Sequence, residues 1–177
     1  MHIRYSKIAM VLSLAAFALL VAFNNLVDYR SNFDFVRHVL SMDTTFPGNQ
    51  LMMRALPAPE FWHGAYWLII AGEGLTGLCL LLGAVDLLKN RHGSAARFEA
   101  AKKWVVYGAT CGFLVWFFGF MAVGGEWFLM WQSDTWNGQD AAFKFYMAIL
   151  GVLIYVSLPE HGAPADGADG CMTRRST

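Results

Sequence analysis

The chain has 177 residues, of which 56% are hydrophobic and 15% are charged, and its formal net charge is zero. This composition is more apolar than that of a soluble globular domain. A neutral chain has no electrostatic attraction for phosphate backbones, so nucleic acid is not expected as a partner. The cysteines Cys79, Cys111 and Cys171 form no CxxC pair, so neither a disulfide framework nor a structural zinc site is predicted.

Four apolar runs are long enough to cross a membrane, because a helix needs about 20 apolar residues to span the hydrocarbon core. They predict an all-α membrane protein, a bundle of four transmembrane helices, with spans at 8–27, 66–88, 104–123 and 141–158. The first run begins like a signal peptide but stays apolar to Phe23, further than a cleaved signal extends. We therefore expect it to remain as an uncleaved helix.

Lysine and arginine are concentrated on one side of the predicted bundle. The N-terminal arm, the segment between the second and third spans and the C-terminal tail carry two, five and two of the thirteen basic residues, whereas the long loop 28–65 carries three. Because basic loops stay in the cytoplasm, we expect a multi-pass membrane protein with both termini cytoplasmic, which places the loop 28–65 in the periplasm if the membrane is a bacterial inner membrane. The polar tail 159–177 is predicted to be disordered.

The loop 28–65 contains the pattern of a surface helix and predicts a partly helical outer cap. In SNFDFVRHVLSM, Ser31 to Met42, polar residues recur at helical spacing between apolar ones, and Ser31 followed by Asp34 resembles a capping box. Four polar residues of this loop are candidates for a site: Asp34, Arg37, His38 and Asp43. His38 could approach His63, but no tight ligand spacing predicts a metal, and no cofactor is expected.

Aromatic residues flank the predicted spans where the membrane meets water. Tryptophan favours this interface because its ring is apolar while its N–H stays hydrated. The predicted anchors on the outer side are Trp62, Trp67, Trp127, Trp131 and Trp136. Trp127 and Trp131 are four residues apart, so a continuing third helix would place both on one face.

Glu73 lies inside a predicted span, where a charge is costly and needs a partner or a function. It follows Tyr66 by seven residues, or about 10 Å along a helix. Polar residues at similar depth complete a predicted outer-leaflet cluster: Asn24, Asn25, Asp28, Glu126 and Lys144. The cluster could handle protons or bind a ligand. Alternatively, Glu73 pairs with Lys144, or stays protonated and hydrogen-bonds an asparagine, which would hold the helices together.

Small residues recur at helical spacing in two of the spans. Gly108 and Gly112 form a GxxxG pattern that Gly119 continues, and Gly72 and Thr76 are similarly spaced. We favour contacts within one bundle over dimerisation, and the pattern leaves the oligomeric state open.

Three strings of the sequence carry a family resemblance. They are NNLVDYRSNFDFVRHVLSMDTTFPGN from Asn24 to Asn49, IIAGEGLTG around Glu73, and GGEWFLMWQSDTWNGQ from Gly124 to Gln139. Together they resemble the bacterial family of predicted small integral membrane proteins, a domain of unknown function, over nearly all of residues 5–158. The resemblance implies four spans in an inner membrane, and it implies no activity.

These observations favour an accessory or interaction subunit over an enzyme, since no GxSxG, P-loop or Rossmann pattern occurs. The expected partners are the lipid bilayer and a larger membrane protein complex. One alternative is a small transporter or proton-linked module that uses Glu73. Another is a subunit of a membrane redox complex that contacts quinone or haem, although none of the five histidines lies within a predicted span.

Overall fold

The computed structural model describes residues 1–160, which form helices and loops without a β-strand. Most of the predicted tail 159–177, with His161 and Cys171, lies outside the described residues. The α-helices of residues 1–160 are α1 (His2–Val27), α2 (Tyr29–Ser41), α3 (Pro59–Lys89), α4 (Ala95–Ala100), α5 (Lys103–Phe113) and α6 (Gln139–Ser157). A π-helical stretch, Leu114–Trp127, continues α5 and is called the π-segment below. Single 3₁₀ turns occur at Met52–Arg54 and Met130–Gln132.

Four helices are long and apolar enough to span a membrane, as the sequence predicts. They are α1, α3, the continuous stretch Ala95–Trp127 and α6. The helices extend beyond the predicted apolar spans, because the helical backbone continues where the side chains become polar. Thus α1 begins at His2 rather than residue 8, and α3 begins at Pro59, which suits the first turn because proline has no N–H to satisfy there.

The four spanning helices run alternately up and down, so the bundle has two distinct ends. One end carries Met1, the loop 90–94 and the end of α6, and is called the tail end. The other carries α2 with the loops 42–58 and 128–138, and is called the cap end. Buried apolar residues fill the bundle from end to end, from Val11 and Leu80 through Trp116 to Tyr66 at the cap end.

Helices α3 and α5 approach each other closely in the half of the bundle nearer the tail end. A Cβ atom added at Gly83 would lie 2.8 Å from the backbone nitrogen of Val105, and one added at Gly108 would lie 2.9 Å from that of Leu80. Both glycines are therefore required by backbone contact. Gly108 belongs to the predicted GxxxG pattern, and its predicted use for packing within the bundle is confirmed at this contact.

The tail end is fastened by a network of charged residues. Arg4 contacts the Glu160 carboxylate at 2.9 Å and donates to the carbonyls of Arg91 and Gly93. Lys7, although buried, donates to the Leu158 carbonyl at 2.8 Å. Burial would raise the pKa of Glu160, but the hydrogen bond and charge of Arg4 and the charge of Lys7 outweigh it, so this pKa lies below its ordinary value. The network ties the start of α1 to the end of α6.

Candidate functional site

Glu73 of α3 faces α1 in the interior of the bundle, with only 3% of its surface exposed. Its Oε2 accepts a hydrogen bond of 2.8 Å from Nδ2 of Asn25, which is itself 4% exposed. Within residues 1–160, no lysine, arginine or histidine forms an ion pair with Glu73. The carboxyl group is therefore held by an amide rather than by a cation.

A short polar chain connects this carboxyl group to the surface at the cap end. The side-chain oxygen of Asn25 accepts a 2.6 Å hydrogen bond from Asn32, which is exposed on α2. The Asn25 backbone carbonyl accepts a 3.4 Å bond from the hydroxyl of Tyr66. The side-chain nitrogen of Asn25 thus donates to Glu73, while its side-chain oxygen accepts from Asn32 at the surface. We call Glu73, Asn25 and Asn32 the polar chain.

The other predicted members of the outer-leaflet cluster do not join the polar chain. Asn24, Asp28 and Glu126 are exposed, and Asp28 accepts a hydrogen bond from Ser31. Of the two alternatives for the partner of Glu73, the hydrogen bond to an asparagine is present, and the pair with Lys144 is not. Lys144 instead pairs with Asp140, one helical turn earlier on the exposed face of α6. The predicted cluster members therefore lie at similar depth in the membrane but do not face the same part of the bundle.

Sequence reasoning missed Asn32 and Tyr66 as parts of this arrangement. A signal for Asn32 was available, because it follows Asn25 by seven residues, which places both on one face of nearly continuous helices. The chain departs from helical geometry only at Asp28, with φ −112° and ψ 65°, before α2 begins at Tyr29. For the same reason the predicted capping box at Ser31 and Asp34 is wrong, since both residues lie within α2.

The four candidate residues of the loop 28–65 form one network on the cap. The ring of His38 lies between Asp43, at 2.8 Å, and Arg37, also at 2.8 Å. Arg37 is 3.6 Å from Asp34. The His38 ring also stacks on Trp136 of the loop after the π-segment, with centroids 4.6 Å apart. This network joins α2 to a second loop and so holds the cap together.

The two loop histidines do not meet. His63 bonds to the Tyr29 hydroxyl at 2.8 Å and stacks on Phe33 with centroids 4.3 Å apart, whereas His38 contacts Asp43 and Trp136. In the part of the chain that the structure describes, no group of three or more histidine, cysteine, aspartate or glutamate side chains could hold a metal ion.

The tryptophans predicted as anchors all lie at the cap end, in different surroundings. Trp62 donates its indole N–H to the Leu56 carbonyl at 2.6 Å, and Trp67 is exposed on α3. Trp127 and Trp131 are also exposed, and Trp136 is half-buried. The predicted shared face of Trp127 and Trp131 does not form. The helix ends at Trp127, and Leu129 takes a left-handed backbone conformation with φ 55°.

An exposed apolar surface covers part of the cap. Phe46 packs edge-on against Trp131 with ring centroids 5.8 Å apart. The neighbouring Thr45 hydroxyl is 3.6 Å from the sulfur of Met52. Met53 follows and is 79% exposed. Arg54 then lies over the ring of Trp127 at 4.6 Å. We call the apolar members the cap patch: Phe46, Met52, Met53, Trp127 and Trp131.

The comparison with known proteins agrees with this architecture. The model of the family described as predicted small integral membrane protein, DUF2165, matches residues 3–159. No curated protein and no solved structure matches the chain. The matched region includes all four spanning helices, the polar chain and the cap patch. The chain is an integral, multi-pass membrane protein and belongs to the DUF2165 family of predicted small integral membrane proteins.

Proposed function

We propose that this protein is an accessory subunit of the bacterial inner membrane that binds a larger membrane protein through the cap patch. The observation that carries the proposal is the exposure of large apolar side chains outside the four spanning helices. Lipid-facing residues explain apolar exposure along the spans, but they do not explain Phe46, Met52 and Met53, which belong to the loop between α2 and α3. Large apolar side chains that are exposed outside the membrane-spanning part are typical of protein interaction sites.

The composition of the cap patch supports a protein partner. Methionine adapts its shape to a binding surface, and tryptophan and arginine are the residues that most often dominate interface energetics. Arg54 is held over Trp127 and also donates to its carbonyl at 3.2 Å, so both side chains have a defined position before binding. Side chains that are already ordered lose little conformational entropy when a partner binds.

The distribution of charge supports an orientation with the tail end in the cytoplasm. Arg4, Lys7 and Lys102 gather at that end, together with the basic residues of the loop before α5. Basic residues near membrane helices are retained on the cytoplasmic side. In this orientation the cap patch faces the periplasm, and its partner must expose a complementary surface there.

Site-specific photocrosslinking tests the proposal directly. A photoreactive amino acid at Met53 should give a crosslink to one protein of defined mass in intact cells. The same residue at Ile154, which is exposed on α6, should label lipid. Crosslinks from Met53 that contain lipid alone would show that the cap patch is a membrane anchor, and the proposal would fail.

The polar chain favours a second candidate function, a small proton-linked transporter or module. A carboxyl group in a membrane interior that has no cationic partner among residues 1–160 suits a group that gains and loses a proton, and Asn25 links it to the exposed Asn32. Purified protein in vesicles with a pH gradient should then conduct protons. Glu73→Gln should abolish this flux, while Glu126→Gln, at an exposed carboxylate nearer the same end, should keep it. Equal flux in both variants would contradict this candidate.

A further inference from the structure

A groove with a volume of about 520 Å³ lies between α3 and the π-segment, and Glu73 is not among the residues that line it. Its size is within the range of roughly 300–1,000 Å³ that is typical of ligand pockets. One wall is residues 65–75 of α3, and the other is residues 111–124 of α5 and the π-segment. Helix α2 lies across the cap end of the groove through Val36, Val39 and Leu40.

The groove exists because α3 and the third spanning helix are in contact at one level and separated at another. Their backbones touch at Gly83 and Gly108, nearer the tail end. The floor of the groove lies where a Cβ at Gly72 would come within 2.6 Å of Val115. The third helix is π-helical from this level to Trp127, and at its end the Phe128 amide donates a hydrogen bond of 3.0 Å to the Val123 carbonyl. Such i→i+5 geometry is rare, and its single-turn form is found often at functional sites.

The chemistry of the lining restricts what can bind. Every side chain that lines the groove is apolar except the Cys111 thiol, which donates to the Gly72 carbonyl at 3.5 Å. The lining therefore offers almost no polar partner to a ligand or to water, and an apolar groove of this kind accepts an apolar occupant. Two residues on each side of the mouth are exposed on lipid-facing helices: Leu68, Leu75, Leu114 and Phe118. The groove is thus continuous with the surface that contacts lipid.

We propose that this groove binds one acyl chain of a phospholipid, which enters from the leaflet at the cap end. A second protein helix fits poorly, because a helix about 10 Å wide occupies roughly 420 Å³ per turn, so the groove would hold little more than one turn. Helix α2 also lies in the path of a helix that crosses the whole bilayer. A hydrocarbon chain is narrower and can enter sideways. Once bound, it contacts α2 and the π-segment together and so supports the cap.

A photoactivatable lipid tests the proposal. The protein is reconstituted in vesicles of phosphatidylethanolamine and phosphatidylglycerol that contain phosphatidylethanolamine with a diazirine in its acyl chain. After irradiation, labelled peptides are identified by mass spectrometry. Adducts should concentrate on residues 111–119 and 65–75, compared with the lipid-facing surface of α6 around Gly151, where a Cβ would have no neighbour within 4 Å.

A matched pair of variants sharpens the test. Gly119 lines the groove, and a Cβ there would lie 3.7 Å from its nearest neighbour, the Leu114 carbonyl oxygen, so Gly119→Leu adds a side chain without a backbone collision. Labelling of the groove should fall on the order of tenfold in Gly119→Leu, because the added side chain overfills the space. Gly151→Leu should leave it unchanged.

Three results would overturn the proposal. They are equal labelling of the groove and of the α6 surface in the wild-type protein, groove labelling that Gly119→Leu does not reduce, and crosslinks that join two protein copies through the groove. If Gly119→Leu does not accumulate, the wild-type adduct map decides the question alone. Failure of the Met53 crosslink would not affect this result, because the lipid groove and the cap patch are different surfaces.

Discussion

Replacing Asn25 with leucine tests whether the polar chain holds α1 against α3. The change keeps the side-chain volume nearly constant but removes the amide that donates to Glu73 at 2.8 Å. The lost hydrogen bond is worth about 0.6 kcal/mol in a membrane. The buried carboxyl group left without a partner costs about 1–3 kcal/mol more. Asn32 also loses its hydrogen bond to Asn25, but it is exposed and can bond to water instead, so this loss adds little to the change in unfolding free energy. We expect Asn25→Leu to lower the free energy of unfolding by about 2 kcal/mol.

Unfolding by sodium dodecyl sulfate in mixed micelles, followed by helical circular dichroism, measures this change. Asn24→Leu is the matched control, because Asn24 is the neighbouring asparagine and is exposed. It should change the free energy of unfolding by less than about 0.5 kcal/mol. In the double variant Asn25→Leu/Glu73→Leu both partners become apolar, and stability should return to within about 1 kcal/mol of the wild type. Equal effects of Asn25→Leu and Asn24→Leu, or additive effects in the double variant, would refute the reasoning.

The tail-end network and the close helix contacts give further predictions. The pKa of Glu160 is lowered in the folded protein. The ionised Glu160 carboxylate therefore stabilises the fold above pH 4.5, the ordinary pKa, and this stabilisation is lost as the pH falls through the lower pKa of the folded protein. The difference in unfolding free energy between the wild type and Glu160→Gln should therefore be present at pH 7 and vanish in acid; a difference that grows in acid would contradict this. Gly108→Leu should lower stability by at least about 2 kcal/mol, because its Cβ would lie 2.9 Å from the backbone of Leu80. Gly151→Leu should be nearly neutral, and equal losses in both variants would show that α3 and α5 are not in contact at Gly108.

The sequence predicted the four spanning helices well, because membrane spans are determined by long apolar runs, which can be read without knowledge of packing. It also predicted a helix in the loop after α1, because that segment alternates polar and apolar residues at helical spacing. Both features depend on residues that are close together in the chain.

The sequence left two alternatives for the partner of Glu73, Lys144 or an asparagine, because the choice depends on how the helices are rotated about their axes. Lys144 and Asn25 both lie at a suitable depth, but only Asn25 faces α3, while Lys144 lies on the exposed face of α6. The apolar pattern around these helices is too uniform to reveal a buried face. A lipid-facing side is as apolar as a core-facing one, so periodicity carries little information about packing in a membrane.

The π-segment and the cap patch were missed for a different reason. The composition of residues 114–127 does not distinguish an i→i+5 helix from an α-helix. The left-handed residue at which the helix breaks is Leu129, which is neither glycine nor proline. The exposed position of Met53 depends on contacts that Thr45, Phe46 and Gln132 make across two loops. Such contacts are set by the tertiary fold, so the local sequence does not encode them.

Quantitative purification in mild detergent tests the central claim, that the cap patch binds a larger membrane protein. The wild type is compared with Met52→Ser/Met53→Ser and with Ile154→Ser, which also replaces an exposed apolar residue but lies on α6. If the account is right, one partner protein should co-purify with the wild type and with Ile154→Ser, and its yield should fall on the order of tenfold in the double variant. An identical set of co-purifying proteins from all three, or no partner from the wild type, would contradict the claim.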